Sequence, residues 1–269
     1  MEANTKQLQQ DGLRIDGRRP KEIRKINIRL GVFGQADGSA YIEQGKTKVL
    51  ATVYGPHQPR GSAAKNVSTK TVKGIVNCQY STAVFSFGAG ERKRRPRGDR
   101  KSLERSLQLR HAMEAIIHLD LMARSQIDIF VEILQVDGSE FCVAVNAATL
   151  ALVDAGIPIK DYAVGCSVTV ADNATTDDKG TQRIGLLDAN YMEECTPGVT
   201  LSIVSLPGHN IEIPIGNSVL IVQGSGQRLH LSRLEELRMM AIEGCRDIRT
   251  ILDEAVKHHL NIYSSHTAD

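Results

Sequence analysis

SAYIEQGKTKVLATVYG (39–55) reads as two strands and the turn that joins them. Apolar residues recur at every second position on both sides of QGK, the mark of a half-buried strand. A Gly-Lys pair between two such runs predicts a tight hairpin. Upstream, KINIRLGVF (25–33) has the same alternation, and ADG (36–38) predicts a second tight turn. Downstream, IVNCQYS (75–81) returns to strand, and QIDIFVEIL (126–134) sets Ile127, Ile129, Val131 and Ile133 on one face. YAVGCSVTV (162–170), RIGLLD (183–188), VTLSIVSL (199–206), IEIPIG (211–216) and SVLIVQG (218–224) are further short strands.

Three helical stretches interrupt this pattern. Asp99 is placed to cap a helix reaching about Leu121, with Leu103, Leu107, Met113 or Glu114, and Ile117 at roughly helical spacing. VDGSE (136–140) opens a second helix, FCVAVNAATLALVDAG, which Gly156 and Pro158 close. Asp137 and Glu140 have the spacing of a cap and its third helical residue. Ser232 and Glu235 form a capping box for a last helix to about Leu260, whose apolar face carries Leu234, Leu237, Ala241, Ile248, Leu252 and Ala255. Strands interrupted by single helices predict an α+β, mixed α/β fold with mixed sheets and packed helices. Residues 1–10 read as a flexible N-terminus. The rest divides into a first half (11–157), a second half (158–260) and a tail, with a polar excursion at ADNATTDDKGTQ (171–182).

The 269 residues are 41% hydrophobic and 24% charged, ordinary for a soluble globular protein with a real core. No apolar run approaches the roughly 18–20 residues of a membrane helix. The first residues lack the pattern of a secretory signal. Five widely spaced cysteines without a CxxC read as buried thiols. The eight histidines show no ligand spacing, GSGQ (224–227) is a turn, and the absence of tryptophan argues against an aromatic RNA-binding sheet.

Charge is concentrated in one place. ERKRRPRGDRK (91–101) carries seven Arg or Lys against Glu91 and Asp99, a local +5 in a chain of net +2. Basic side chains on a loop before a helix suit the phosphates of a nucleic acid, without sequence preference. The loop 57–73, with Arg60, Lys65, Lys70 and Lys73, is a second basic candidate. Composition alone leaves open a solvated charged face or a free-standing RNA-binding module.

Five segments in order, LRIDGRRPKEIRKI (13–26), ADGSAYIEQGKTKVLATVYGP (36–56), ERKRRPRGDRKSLE (91–104), RSQIDIFVEILQVDGS (124–139) and VNAATLALVDAGIP (145–158), resemble the ribonuclease PH family. Within it the likeness is to eukaryotic RNA-exosome ring subunits that correspond to the archaeal catalytic subunit. It spans roughly residues 11–260. The resemblance implies a duplicated β-α-β-α fold in a six-membered ring, with other ribonuclease PH-like subunits as neighbours and S1/KH-type cap subunits above. Single-stranded RNA would thread its channel toward associated nucleases, for rRNA processing and for mRNA and noncoding-RNA turnover in nucleus, nucleolus and cytoplasm. No membrane is implied.

On that register Arg100 and Lys101 match two arginines that grip RNA phosphates in active relatives, and Arg95, Arg97, Arg60 and Lys65 are further RNA-binding candidates. Active relatives read Gly-Ser-Arg where this chain has Gly138, Ser139 and Glu140; their arginine and the helix N-terminus bind the attacking phosphate. Two unit charges about 4 Å apart interact by roughly 4 kcal/mol at an effective dielectric near 20, so a carboxylate there should repel phosphate. Asp188 matches one aspartate of the active relatives and Glu194 replaces another, leaving a degenerate pair for Mg²⁺. The expectation is a non-catalytic or nearly non-catalytic ring subunit needing no cofactor. The alternative is a phosphorolytic 3′→5′ exoribonuclease, active with its ring partner, using Mg²⁺ and inorganic phosphate and releasing nucleoside diphosphates.

Overall fold

The computed structural model describes residues 13–59, 73–87, 92, 98–171, 184–208, 217–227 and 229–266. The opening stretch folds as read. β2 (Gly38–Gln44) and β3 (Thr47–His57) pair antiparallel about a two-residue turn, with Gln44 opposite Thr47. Gly45 sits in that turn at φ 60, a left-handed conformation that costs glycine least. The second expected turn is different. β1 (Ile26–Leu30) stops before Val32 and Phe33, which are exposed, and Gly38 of ADG already belongs to β2. The connection is a loop rather than a tight turn.

β4 (Ile75–Thr82) leads through α1 (Arg100–Ile116) to β5 (Gln126–Gln135), which inserts between β3 and β4. β4 and β5 are parallel, which is why a helix must cross between them. The result is a five-stranded mixed sheet, β1-β2-β3-β5-β4. β6 (Val164–Ala171), β7 (Ile184–Leu187), β8 (Gly198–Pro207) and β9 (Asn217–Gly226) form a four-stranded antiparallel sheet in the order β7-β6-β8-β9. The expected strand 211–216 and the excursion 171–182 lie almost wholly outside the described residues, as do residues 1–10.

Between the sheets runs α2 (Glu140–Asp154). Phe141 through Leu152 are all buried, so this helix is covered around its whole circumference and apolar there except at Asn146 and Thr149. Both sheets approach it at glycines. A Cβ on Gly38 would lie 2.3 Å from the Ala151 carbonyl oxygen, and one on Gly165 would lie 2.8 Å from Cys142 Cα. Asn146 ties helix to sheet, accepting from Gly165 N at 2.8 Å and donating to its carbonyl at 3.2 Å. The long α4 (Leu231–His266) covers the second sheet with Leu237, Ala241, Cys245, Ile248 and Leu252 buried.

Three helix expectations are corrected. α1 ends at Ile116, where the Lys160 N–H and Nζ take the Ile116 and Ala115 carbonyls; Leu119–Leu121 is a separate 3-10 turn. Its buried face is Ser102, Leu109, Ala112, Met113 and Ile116, whereas Leu103 and Leu107 are 57% and 55% exposed. Asp99 holds the capping position with extended backbone but no side-chain bond. Ser232 lies inside α4, not before it; His230 Nδ1 accepts from its N–H at 3.4 Å, and Glu235 faces Arg238. Four cysteines are buried, but Cys195 is exposed.

Candidate active site and the adjoining basic cavity

The loop from β5 to α2 and the turn from β7 to the short helix α3 (Tyr191–Glu194) meet face to face. Gly138 has φ 80, and a Cβ there would strike the Ala189 carbonyl at 2.4 Å. Ser139 (φ 55) and Asp188 (φ 52) are left-handed without being glycine. Such backbone persists only where surrounding bonds fix it, and it gathers at functional sites. Here the bonds are visible. The Ser139 hydroxyl pairs with Ser167 and donates to the Ala189 carbonyl at 3.1 Å, and the Asp188 N–H donates to the Ser167 carbonyl at 2.8 Å.

Two buried arginines from the N-terminal arm lock this turn. Arg24 donates from Nε to one Asp188 carboxylate oxygen at 3.0 Å and from a terminal nitrogen to the other at 2.7 Å. Its other bonds reach the Asp137 and Gly138 carbonyls, so one guanidinium ties the two halves of the site together. Burial works to raise the Asp188 pKa, but Arg24 outweighs it and holds the carboxyl at about 2. Arg14, fully buried, pairs with Glu193 and donates to the Leu187 carbonyl at 2.6 Å. Neither Arg14 nor Arg24 is among the candidate residues of the sequence, and both belong to the interior. Both fall in LRIDGRRPKEIRKI, but nothing marks them for burial among the four arginines of that segment.

The candidate residues come together as follows. Glu194 accepts the Ser139 N–H at 2.8 Å, so the chain's own carboxylate occupies a donor at the start of α2. Burial raises the Glu194 pKa, the Ser139 N–H opposes this, and nearby Glu140 adds to the rise. Glu140 is the first helical residue rather than a capping partner of Asp137; the cap position belongs to Ser139, whose side chain bonds elsewhere. Glu140 instead pairs with Arg105 of α1 at 3.0 Å. That guanidinium stacks over Phe141 at 5.5 Å and Tyr80 at 5.9 Å, a residue the sequence reading missed. Asp188 and Glu194 do not form a cation site as placed. Both Asp188 oxygens are bonded to Arg24, and no group of three or more suitable ligands gathers among the described residues.

Lys101 lines a cavity of about 380 Å³ with Arg92, Arg105, Glu140, Tyr80 and Phe87. Arg100 is exposed on the first turn of α1 and does not line it. Arg60, Lys65, Lys70, Arg95 and Arg97 lie outside the described residues, and Lys73 pairs with Asp120 at 3.2 Å.

The family described as the 3′ exoribonuclease family, domain 1 (RNase PH), matches residues 22–158. This chain belongs to the RNase PH family. Over 253 residues it is 47% identical to the human exosome complex component RRP41, covering 94% of each chain. To the exosome complex component Rrp41 of Thermococcus kodakarensis it is 34% identical over 252 residues, 94% of this chain and 91% of the relative. Its fold is similar to that of rice Rrp46, with TM-score 0.69 and 21% identity over 89% of this chain and 98% of the other. The similarity to RRP41 thus runs well beyond the matched first domain, through the second sheet and α4.

Proposed function

We propose that this chain is a ring component of an RNA exosome that guides single-stranded RNA and carries out little or no phosphorolysis itself. One observation carries the reading: a backbone donor at the start of α2 is taken by the chain's own carboxylate. Glu194 takes the Ser139 N–H, and Glu140 stands where the family resemblance expects an arginine. An orthophosphate would have to displace a carboxylate and approach another. Neighbouring subunits of the same fold, S1/KH-type caps and associated nucleases complete the proposed assembly, which works in nucleus, nucleolus and cytoplasm. Lys101, Arg92 and Arg100 would hold the RNA backbone near the site.

One feature favours the second reading, a phosphate-dependent 3′→5′ exoribonuclease. Arg105 neutralises Glu140, and Arg92 and Lys101 against Asp99 leave their shared cavity net positive. In that case the site would take inorganic phosphate and Mg²⁺, and the Asp188–Arg24 pair would have to open. Calorimetric titration with orthophosphate separates the two readings. The proposal expects no saturable binding at millimolar phosphate. Saturable binding by the wild-type chain, lost on Lys101→Glu, would favour the enzyme.

A further inference from the structure

A second cavity, about 650 Å³, adjoins the site and is used by nothing described above. Its walls include Phe85, Phe87, Tyr191, Met192, Lys46 and Lys48. Phe85 is 70% exposed, Met192 66% and Tyr191 43%, in a chain with only eleven Phe and Tyr and no Trp. Aromatic rings left in solvent have lost the burial that ordinarily holds them, so they mark a surface awaiting a flat, apolar-faced ligand. Phe87 also lines the basic cavity of Lys101, Arg92 and Arg105, so the two cavities lie side by side. Asp137, at the mouth of the site loop, lines the aromatic cavity as well.

We infer that this aromatic cavity is a nucleobase subsite, seating unstacked bases of an RNA strand whose phosphates lie along Lys46 and Lys48. This rests on the RNA-guiding reading above and adds where the bases go. The volume falls within the roughly 300–1,000 Å³ usual for ligand sites. Aromatic faces beside cations are the sequence-tolerant way to hold single strands. The lysines decide against a protein seat, because lysine is depleted from protein–protein interfaces while a polyanion requires it. Lys48 is partly offset by Glu43 at 3.5 Å, and Lys46 has no carboxylate partner among the described residues.

The test is the affinity of the full chain for a short fluorescent oligoadenylate and for the same oligomer carrying abasic residues. Phe85→Ala should weaken the first by about 5- to 100-fold, and Phe85→Tyr should restore it. The abasic oligomer should bind wild type and Phe85→Ala alike. Lys46→Ala should reduce the slope of log affinity against log salt by about 0.7. Thermal melting checks that the exposed Phe85 position leaves folding intact. Unchanged affinity in Phe85→Ala while Lys101→Glu weakens binding would overturn the base subsite and spare the RNA-guiding reading. Loss of capture of another RNase PH-fold subunit by Phe85→Ala, with RNA affinity intact, would make this a protein interface and overturn it too. No RNA binding by wild type would sink both.

Discussion

Glu140 begins α2 directly after the Gly138–Ser139 turn. As a lone carboxylate it would repel phosphate; in place, it is half of an ion pair with Arg105, stacked on two rings. Glu140→Arg alone would therefore set two guanidinium groups together in a half-buried site. It should destabilise the fold by roughly 1–3 kcal/mol, while the swap Glu140→Arg with Arg105→Glu recovers most of that. Urea unfolding of both singles and the double closes the cycle, and additive losses would show that the pair is uncoupled. Asp188 offers a second check. Its pKa is depressed from 3.8 to about 2, so its contribution is present above about pH 4 and is lost as pH falls through 2. The stake is on the order of 2 kcal/mol. Asp188→Asn should lower stability at neutral pH and flatten the acid limb between pH 4 and 2; an unchanged acid limb would show that the Arg24 pair does not couple to folding. Glu140, Asp188 and Glu194 were legible because the family register marks their positions. Arg24 and Arg105 were not, since a lone arginine among many in a basic sequence carries no sign of burial, and its partner is over thirty positions away in each case.

Strands were legible where alternation was strict, as in the first sheet, where one face of a strand is packed and the other is not. β5 shows this directly, with Ile127, Ile129, Val131 and Ile133 all buried and Phe130 exposed. The first helix was misread in its face: Leu103 and Leu107 fit a stripe, but packing chose Ser102, Leu109, Ala112, Met113 and Ile116. Hydrophobicity there was a weak guide because the helix crosses between parallel strands at the sheet edge, where only a narrow stripe of α1 is covered. The second helix read easily, since ten of its twelve consecutive buried positions are apolar and only Asn146 and Thr149 are not. Its tight fit has a consequence for stability. Gly165→Ala would push a methyl against Cys142 Cα at 2.8 Å, and backbone cannot move aside as a flexible side chain would. The expected loss is about 1–3 kcal/mol in urea unfolding, and a change below a few tenths would show that the second sheet can retreat from α2.

At the scale of the molecule, one helix is shared by two sheets, and the N-terminal arm closes the seam between them through Arg14 and Arg24. That closure sets the candidate site between the halves, so its geometry depends on both. Order and class of elements were legible from pattern; the joining of the halves was not, because it rests on single buried ion pairs rather than on periodicity. A phosphate-binding donor already taken by Glu194, beside Glu140, should leave this site without phosphorolysis. The most direct measurement is nucleoside diphosphate release from 3′-tailed RNA by the ring reconstituted with this chain, given phosphate and Mg²⁺. The wild type should release no diphosphate. Phosphate-dependent diphosphate release that disappears with Lys101→Glu would contradict this and make this chain a working exoribonuclease.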